Sequence, residues 1–321
     1  MPLLATRGAG SSRGFGRFAG GGGLFAFTSF TFTNAGATGI YGPTLSQMQS
    51  AYAGQPFLGT LEESTGKHLF TIPVTGNYKF TALGACGGAT NTAVDGYSVF
   101  SQGGGRGASA IGTASLVQGE KVYMMVGQRG TNGDWASGGG GSFAVKGDNS
   151  TVMCAAGGGG GNSGLAFSNY SECFGGNGSN GGSLYKIDAN STEHGGAGYD
   201  GSINTNYGYG GTASNGAAAG YYGNAGGSSN AKSYTNNGYG SNAQSVVGGF
   251  GGGGSSPGSG TAGAGGGWTG GSGSTNSGTG GGICGGGGSY VNTSVCTNTS
   301  TARIGNASGS HGSITVEYLA A

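Results

Sequence analysis

The chain has 321 residues, of which 84 are glycine and only 7% are charged. Twelve Lys and Arg against eleven Asp and Glu leave a net charge of +1, which excludes a sustained basic footprint for nucleic acid and the high net charge that drives disorder. Five prolines without a strict three-residue glycine register exclude collagen, and no stretch reaches the roughly 18 consecutive apolar residues of a membrane span, so no membrane insertion is expected.

Residues 1–23 form a distinct leader. Arg7, Arg13 and Arg17 alternate with glycine, serine, Phe15 and Phe18, and four glycines close it. It lacks the apolar block of a secretory signal, so synthesis in a cytoplasm is expected. The leader reads either as a disordered tail or as a docking arm whose guanidiniums and rings anchor it to a partner. The docking reading names Arg7, Arg13, Phe15, Arg17 and Phe18.

Residues 24–33 alternate apolar and polar, and the spacing of Phe25, Phe27, Phe30 and Phe32 predicts a strand with a bulge. A short helix over 45–52, ended by Gly54, follows Pro43. Strands are predicted at 68–73, 76–83, 108–116, 121–126, 142–146, 151–155 and 313–318, with turns between them. Short strands between turns predict an all-β sandwich.

Residues 157–290 differ. From Gly195 to Tyr290, 37 of 96 residues are glycine, and Asp200 and Lys232 are the only charged ones. A flexible linker is one reading. Blocks such as 157–161, 251–254, 265–267 and 285–288 support another. Glycine runs can extend as three-residue-per-turn helices that bond N–H to C=O sideways, given a rigid frame. Eleven of the aromatics in the region lie among its Asn, Ser and Gly: Tyr170, Phe174, Tyr185, Tyr199, Tyr207, Tyr209, Tyr221, Tyr222, Tyr234, Tyr239 and Trp268. Tyrosine among Ser, Gly and Asn is the composition of antibody binding loops. The ten apart from Phe174 are receptor-contact candidates; the alternative is that they pack.

Catalytic and metal-binding patterns do not emerge. His68, His194 and His311 are far apart, Glu62 and Glu63 read as surface carboxylates, and His311 reads as a structural turn residue. No enzyme activity, metal or cofactor is expected. Cys86, Cys154, Cys173, Cys284 and Cys296 are odd in number, so at least one is unpaired. Cys284 and Cys296 could bridge across a turn; otherwise they are small buried residues.

The motifs resemble a known family. Residues 33–48 with Ala51-Tyr52 are similar to the opening of the glycine-rich extracellular region of the anaplastic lymphoma kinase receptor family. Ile72-Pro73-Val74-Thr75-Gly76-Asn77-Tyr78, Ala85-Cys86-Gly87-Gly88 and Val126-Gly127-Gln128-Arg129-Gly130 follow in the family's order. So do Trp135-Ala136-Ser137-Gly138, Ala155-Ala156-Gly157-Gly158 and Ser310-His311-Gly312. The resemblance spans 24–319 and implies a jelly-roll-like (TNF-like) β-sandwich carrying an inserted polyglycine-II helix bundle. The implied division is an arm (1–23), a sandwich (24–156 plus 300–321) and an insertion (157–299). Without a kinase domain or membrane span, the receptor role is not expected. The leader, and the occurrence of similar modules in tailed-phage tail-tip adhesins, suggest a non-enzymatic virion protein. It would be made in the host cytoplasm and act outside the cell. Its partners would be other virion proteins, through the arm, and a host glycan or outer-membrane protein; a homo-oligomer such as a trimer is possible in such assemblies. The alternatives are a self-associating fibre or capsid-decoration subunit and an extracellular ligand-binding module.

Overall fold

The computed structural model describes residues 23–89, 104–133, 136–161, 211, 216–227, 229–243, 246–256, 262–273, 284–302 and 309–320. In chain order they form β1 (Ser29–Phe32), α1 (Leu45–Ala51), β2 (Glu62–Ser64), β3 (Lys67–Thr71), β4 (Gly76–Leu83), β5 (Ser109–Leu116) and β6 (Lys121–Met125). Then come β7 (Ser142–Lys146), β8 (Val152–Ala156), β9 (Asn242–Ala243), β10 (Val246–Val247), β11 (Tyr290–Val291), β12 (Thr297–Ala302) and β13 (Ser313–Tyr318). One sheet has the order β1-β13-β4-β5-β12 and the other β11-β8-β7-β6-β3-β2; β9 and β10 make a separate ribbon. All pairings among these strands are antiparallel. The described residues form a mostly β fold built on two antiparallel sheets, as short strands between turns predict.

The period of two places the core. In β4, Tyr78, Phe80 and Ala82 are buried while Asn77, Lys79 and Thr81 are half-buried. Their faces, with Phe32, Ala110, Ile314 and Val316, pack against Phe70, Val122, Met124 and Ala144 of the second sheet. A register shift between β7 and β8 makes Met153 and Cys154 consecutive core residues. The helix begins at Thr44, whose hydroxyl accepts from the Gln47 N–H while the Gln47 side chain accepts from the Thr44 N–H. It delivers Met48 and Tyr52 to a ring cluster, with Phe30–Phe57 at 4.8 Å, Phe30–Tyr52 at 5.2 Å and Phe32–Phe70 at 5.4 Å.

Two expectations need correction. The first strand covers only Ser29–Phe32, because its partner β13 ends at Tyr318, opposite the start of β1. Phe25 and Phe27 precede the ladder and lay their rings on Phe70 instead. The return from the glycine-rich stretch falls at Tyr290 rather than 300, since β11 pairs with β8 and β12 with β5. β12 is an exposed edge strand of Thr, Asn and Ser, without the alternation that would mark it.

Between the strands, glycine segments bond to one another outside the strand ladders and the α-helix. Gly84 and Gly87 donate to the carbonyls of Ala108 and Gly105; Ala85 and Gly88 donate to Gly140 and Ser137; Cys86 donates to Ser310. Gly158 and Gly161 likewise donate to Gly266 and Gly263, while Gly159 turns to Ala85. Gly138 and Gly141 donate to Gly254 and Gly251, while Gly139 turns to Gly159. Every third residue thus returns to the same neighbour. The segments at 84–88, 104–108, 127–130 and 136–141 belong to this network, so it extends into the region assigned to the sandwich alone.

The packing leaves no room for side chains. A Cβ on Gly159 would lie deep inside the carbonyl of Gly105, whereas one on exposed Gly59 meets nothing within 4 Å. Gly159→Ala is therefore expected to cost about 3 kcal/mol or more, as a severe overpacking, and Gly59→Ala less than about 0.5 kcal/mol; thermal unfolding of both variants checks this.

His68 is completely buried, with Nε2 2.9 Å from the Tyr52 hydroxyl. Burial lowers its pKa from 6.5 to about 4, against a weak raising contact with the Met124 carbonyl. Between those values the unfolded chain binds a proton that the folded chain does not. Its contribution to stability is therefore retained above about pH 6.5 and lost as the pH falls through about 4. Melting curves at pH 7 and pH 4 should show a larger loss for the natural chain than for His68→Gln.

Candidate functional site

The outward face of the second sheet carries Met125, Phe143, Val145, Val152 and Ala155. Rings from the glycine-rich region cover it. Tyr234 stacks on Tyr221 at 4.8 Å, Tyr221 on Trp268 at 5.2 Å, and Trp268 on Tyr290 at 4.2 Å. Phe143 contacts both Tyr221 and Tyr234 from below.

The row is pinned at its hydroxyls. Tyr234 donates to Asn149 Oδ1 at 2.8 Å and Tyr221 to the Ser150 carbonyl at 3.1 Å. Both acceptors lie in the β7–β8 turn, where Asp148 accepts from the N–H groups of Ser150 and Thr151. Burial pulls the Asp148 carboxyl upward, but these bonds and one from the Thr151 hydroxyl outweigh it and hold the pKa at about 2. Burial raises the pKa of both Tyr221 and Tyr234. At the same Tyr234 end of the row, buried Lys67 places Nζ 4.1 Å from the centre of the Tyr234 ring, and burial lowers its pKa to about 8.

As receptor contacts, Tyr221 and Tyr234 are corrected: their rings are 0% and 1% exposed because they seal an apolar sheet face. Trp268 and Tyr239 are partly buried and pack against the same cluster. Tyr222 stays 53% exposed, edge-on to Tyr221 and Trp268. Tyr170, Tyr185, Tyr199, Tyr207 and Tyr209 lie outside the described residues, as do Arg7, Arg13, Phe15, Arg17 and Phe18.

A second surface joins residues distant in the chain. Tyr41 is 60% exposed and meets Tyr239 edge-to-face at 5.0 Å. The two loops are tied together by Gly240 N–H to the Ile40 carbonyl and Phe250 N–H to the Gly39 carbonyl. Gln128 Nε2 holds the Tyr41 carbonyl at 2.8 Å. The rings border a hollow of about 200 Å³, lined also by Pro43, Thr44, Glu63 and Thr65. One exposed and one half-buried ring, with hydroxyls and one carboxylate, make a surface suited to stacking and hydrogen bonding. Sequence reasoning selected Tyr239 but not Tyr41, and treated Glu63 as solvated surface; nothing in the local pattern of Tyr41 or Glu63 announces the pairing.

The remaining landmarks are structural. His311 Nδ1 accepts from the Arg129 N–H at 3.0 Å, joining the Ser310-His311-Gly312 turn to the Val126–Gly130 motif, and burial lowers its pKa. Among the described residues no group of three His, Cys, Asp or Glu could hold a metal ion, and no helix is long and apolar enough to cross a membrane. Cys284 packs with Ala218, Ala262 and Ala264, whereas Cys296 belongs to the sandwich core, so the two do not bridge and each is a small buried residue.

The fold and surface define a two-sheet antiparallel β-protein fused to a glycine network. No protein-family model matches it. Among curated proteins, the leukocyte tyrosine kinase receptor of Mus musculus is 35% identical over 106 residues, covering 32% of this chain and 11% of the receptor. The chain therefore spans about a tenth of that relative, and the receptor-family resemblance holds as a partial one.

The packing separates two kinds of tyrosine. Tyr221→Ala is expected to cost about 3–5 kcal/mol, as for a large buried ring. Tyr222→Ala and Tyr41→Ala should each cost less than about 1.5 kcal/mol, the scale of one aromatic pair. Denaturant unfolding of the three variants provides the comparison.

Proposed function

We propose that this chain is a non-enzymatic virion protein of a tailed phage, a tail-fibre or tail-tip adhesin that contacts the host surface. We read its two sheets as a jelly-roll-like (TNF-like) sandwich and its glycine segments as polyglycine-II helices. The return of every third donor to the same neighbour supports the helical reading. The observation that carries the function is the Tyr41–Tyr239 pair, held at the surface by loops bonded to the glycine network. Such a mount keeps the rings ordered before binding, so little entropy is lost on contact. Its rings and polar rim fit a neutral host glycan better than a charged one. The arm 1–23 docks the protein to the particle in this reading.

A second reading, an extracellular ligand-binding module, is favoured by the similarity to the leukocyte tyrosine kinase receptor.

Full-length protein and residues 24–321 should both bind intact host cells, while only the full-length chain joins particles lacking the protein. The double variant Tyr41→Ala/Tyr239→Ala should bind cells at least about tenfold more weakly. If neither length binds cells but the full-length chain still joins particles, the adhesin reading fails and a self-associating or decoration subunit replaces it. Undiminished cell binding by the double variant would move the contact elsewhere on the protein.

A further inference from the structure

Cys154 and Cys296 come together from opposite flanks of the glycine-rich stretch. Cys154 lies in β8, directly opposite Val291 of β11. The chain then turns over residues 292–295, closed by Cys296 N–H to the Asn292 carbonyl at 2.9 Å. Asn292 N–H also donates to the Met153 carbonyl at 3.1 Å, which anchors the turn against β8. This returns Cys296 beneath Cys154, with its Sγ 3.8 Å from the same Met153 carbonyl.

Gly112 of β5 is the spacer under both residues. A Cβ there would sit 3.0 Å from Cys296 Cβ and 3.1 Å from Cys154 Sγ. Both cysteines are free and buried, and they face the same side of Gly112. A disulfide needs Cβ atoms about 3.5–4.5 Å apart, a short adjustment for two side chains that both crowd one Gly112 Cβ position.

The two sulfurs are not equivalent. The neighbouring Cys154 thiol lowers the Cys296 pKa, and Cys296 raises that of Cys154; burial raises both, and the Lys146 charge lowers that of Cys296. Cys296 is thus the thiol that ionises first. It also adjoins the exposed turn residues Thr293 and Ser294, so a local opening there uncovers it before Cys154.

We propose that Cys154 and Cys296 are a latent cross-link, closed by a small-molecule disulfide of the oxidised-glutathione class once the protein leaves a reducing compartment. The Cys296 thiolate attacks one sulfur of the small disulfide, breaking its S–S bond, and the expelled thiolate takes up the proton Cys296 released. The Cys154 sulfur then attacks Cys296 Sγ in the mixed disulfide. It expels the second small thiolate, which takes the Cys154 proton. Two protein thiols are oxidised to one disulfide, and the small disulfide is reduced to two thiols. The new bond clamps β8 to the β11–β12 connection, closing the glycine-rich stretch at its base. The inference does not depend on the recognition reading.

The test uses the full-length natural protein, purified reduced and incubated with oxidised glutathione. Thiol counting under denaturing conditions should fall from the five cysteines of the chain by two. Peptide mapping should find residue 154 joined to residue 296, and the melting temperature should rise by about 5–10 °C. In brief alkylation of the reduced protein, Cys296 should react before Cys154. Cys296→Ser should abolish the gain, and Cys284→Ala should keep it. Retention of all five thiols after prolonged exposure, or a cross-link through any other cysteine, overturns the proposal. Because the mapping is done on the natural chain, its result stands even where a variant fails to fold.

Discussion

Lateral hydrogen bonding between bare glycine backbones is the constraint on which this protein depends. Each segment needs partners on several sides, since successive N–H groups point in different directions and the fourth returns to the first neighbour. A buried N–H or C=O left without a partner is costly, so the segments are ordered together. Glycine is required because a Cβ would enter a neighbouring carbonyl, as at Gly159 and at Gly138 against Ala264. Ordering so much glycine costs more chain entropy than any other residue would.

The sheets offset that cost by fixing where the segments begin. Gly84 follows the last residue of β4, Ser142 of β7 follows Gly141, and Gly157 follows the last residue of β8. The spacing and direction of three glycine segments are therefore inherited from strands that alternate side chains into a conventional apolar core. The glycine-rich region returns the support. Its Tyr221, Tyr234 and Trp268 cover the outward face of the second sheet, which would otherwise expose Phe143, Val145 and Met125. The sandwich and the network thus complete one another.

This mutual covering also divides the aromatics by role. Rings that stack over Phe143 are interior residues whose hydroxyls fasten the β7–β8 turn. Tyr41 and Tyr222 remain exposed, and half-buried Tyr239 reaches from the interior cluster to Tyr41, on loops whose backbones are bonded into the network. A surface built in this way can vary its side chains while the support beneath stays the same, because the support uses main-chain atoms.

Much of the sandwich was legible in the sequence. Short apolar runs between turn signals located β4, β5, β6, β7, β8 and β13 within a residue or two, and β13 also alternates as a half-buried strand must. Pro43 and Gly54 bounded the helix, and the spaced glycine blocks pointed to a backbone-bonded region. Tertiary structure alone decided the rest. A two-residue strand such as β11, or a polar edge strand such as β12, carries no periodic signal. Which tyrosines are buried depends on a sheet face supplied by another part of the chain. The meetings of Tyr41 with Tyr239 and of Cys154 with Cys296 depend on strand order and on turns that bring distant segments together. Local sequence records the conformation each segment prefers; it does not record which segments become neighbours, because that is set by the joint burial of side chains and pairing of backbones across the whole molecule.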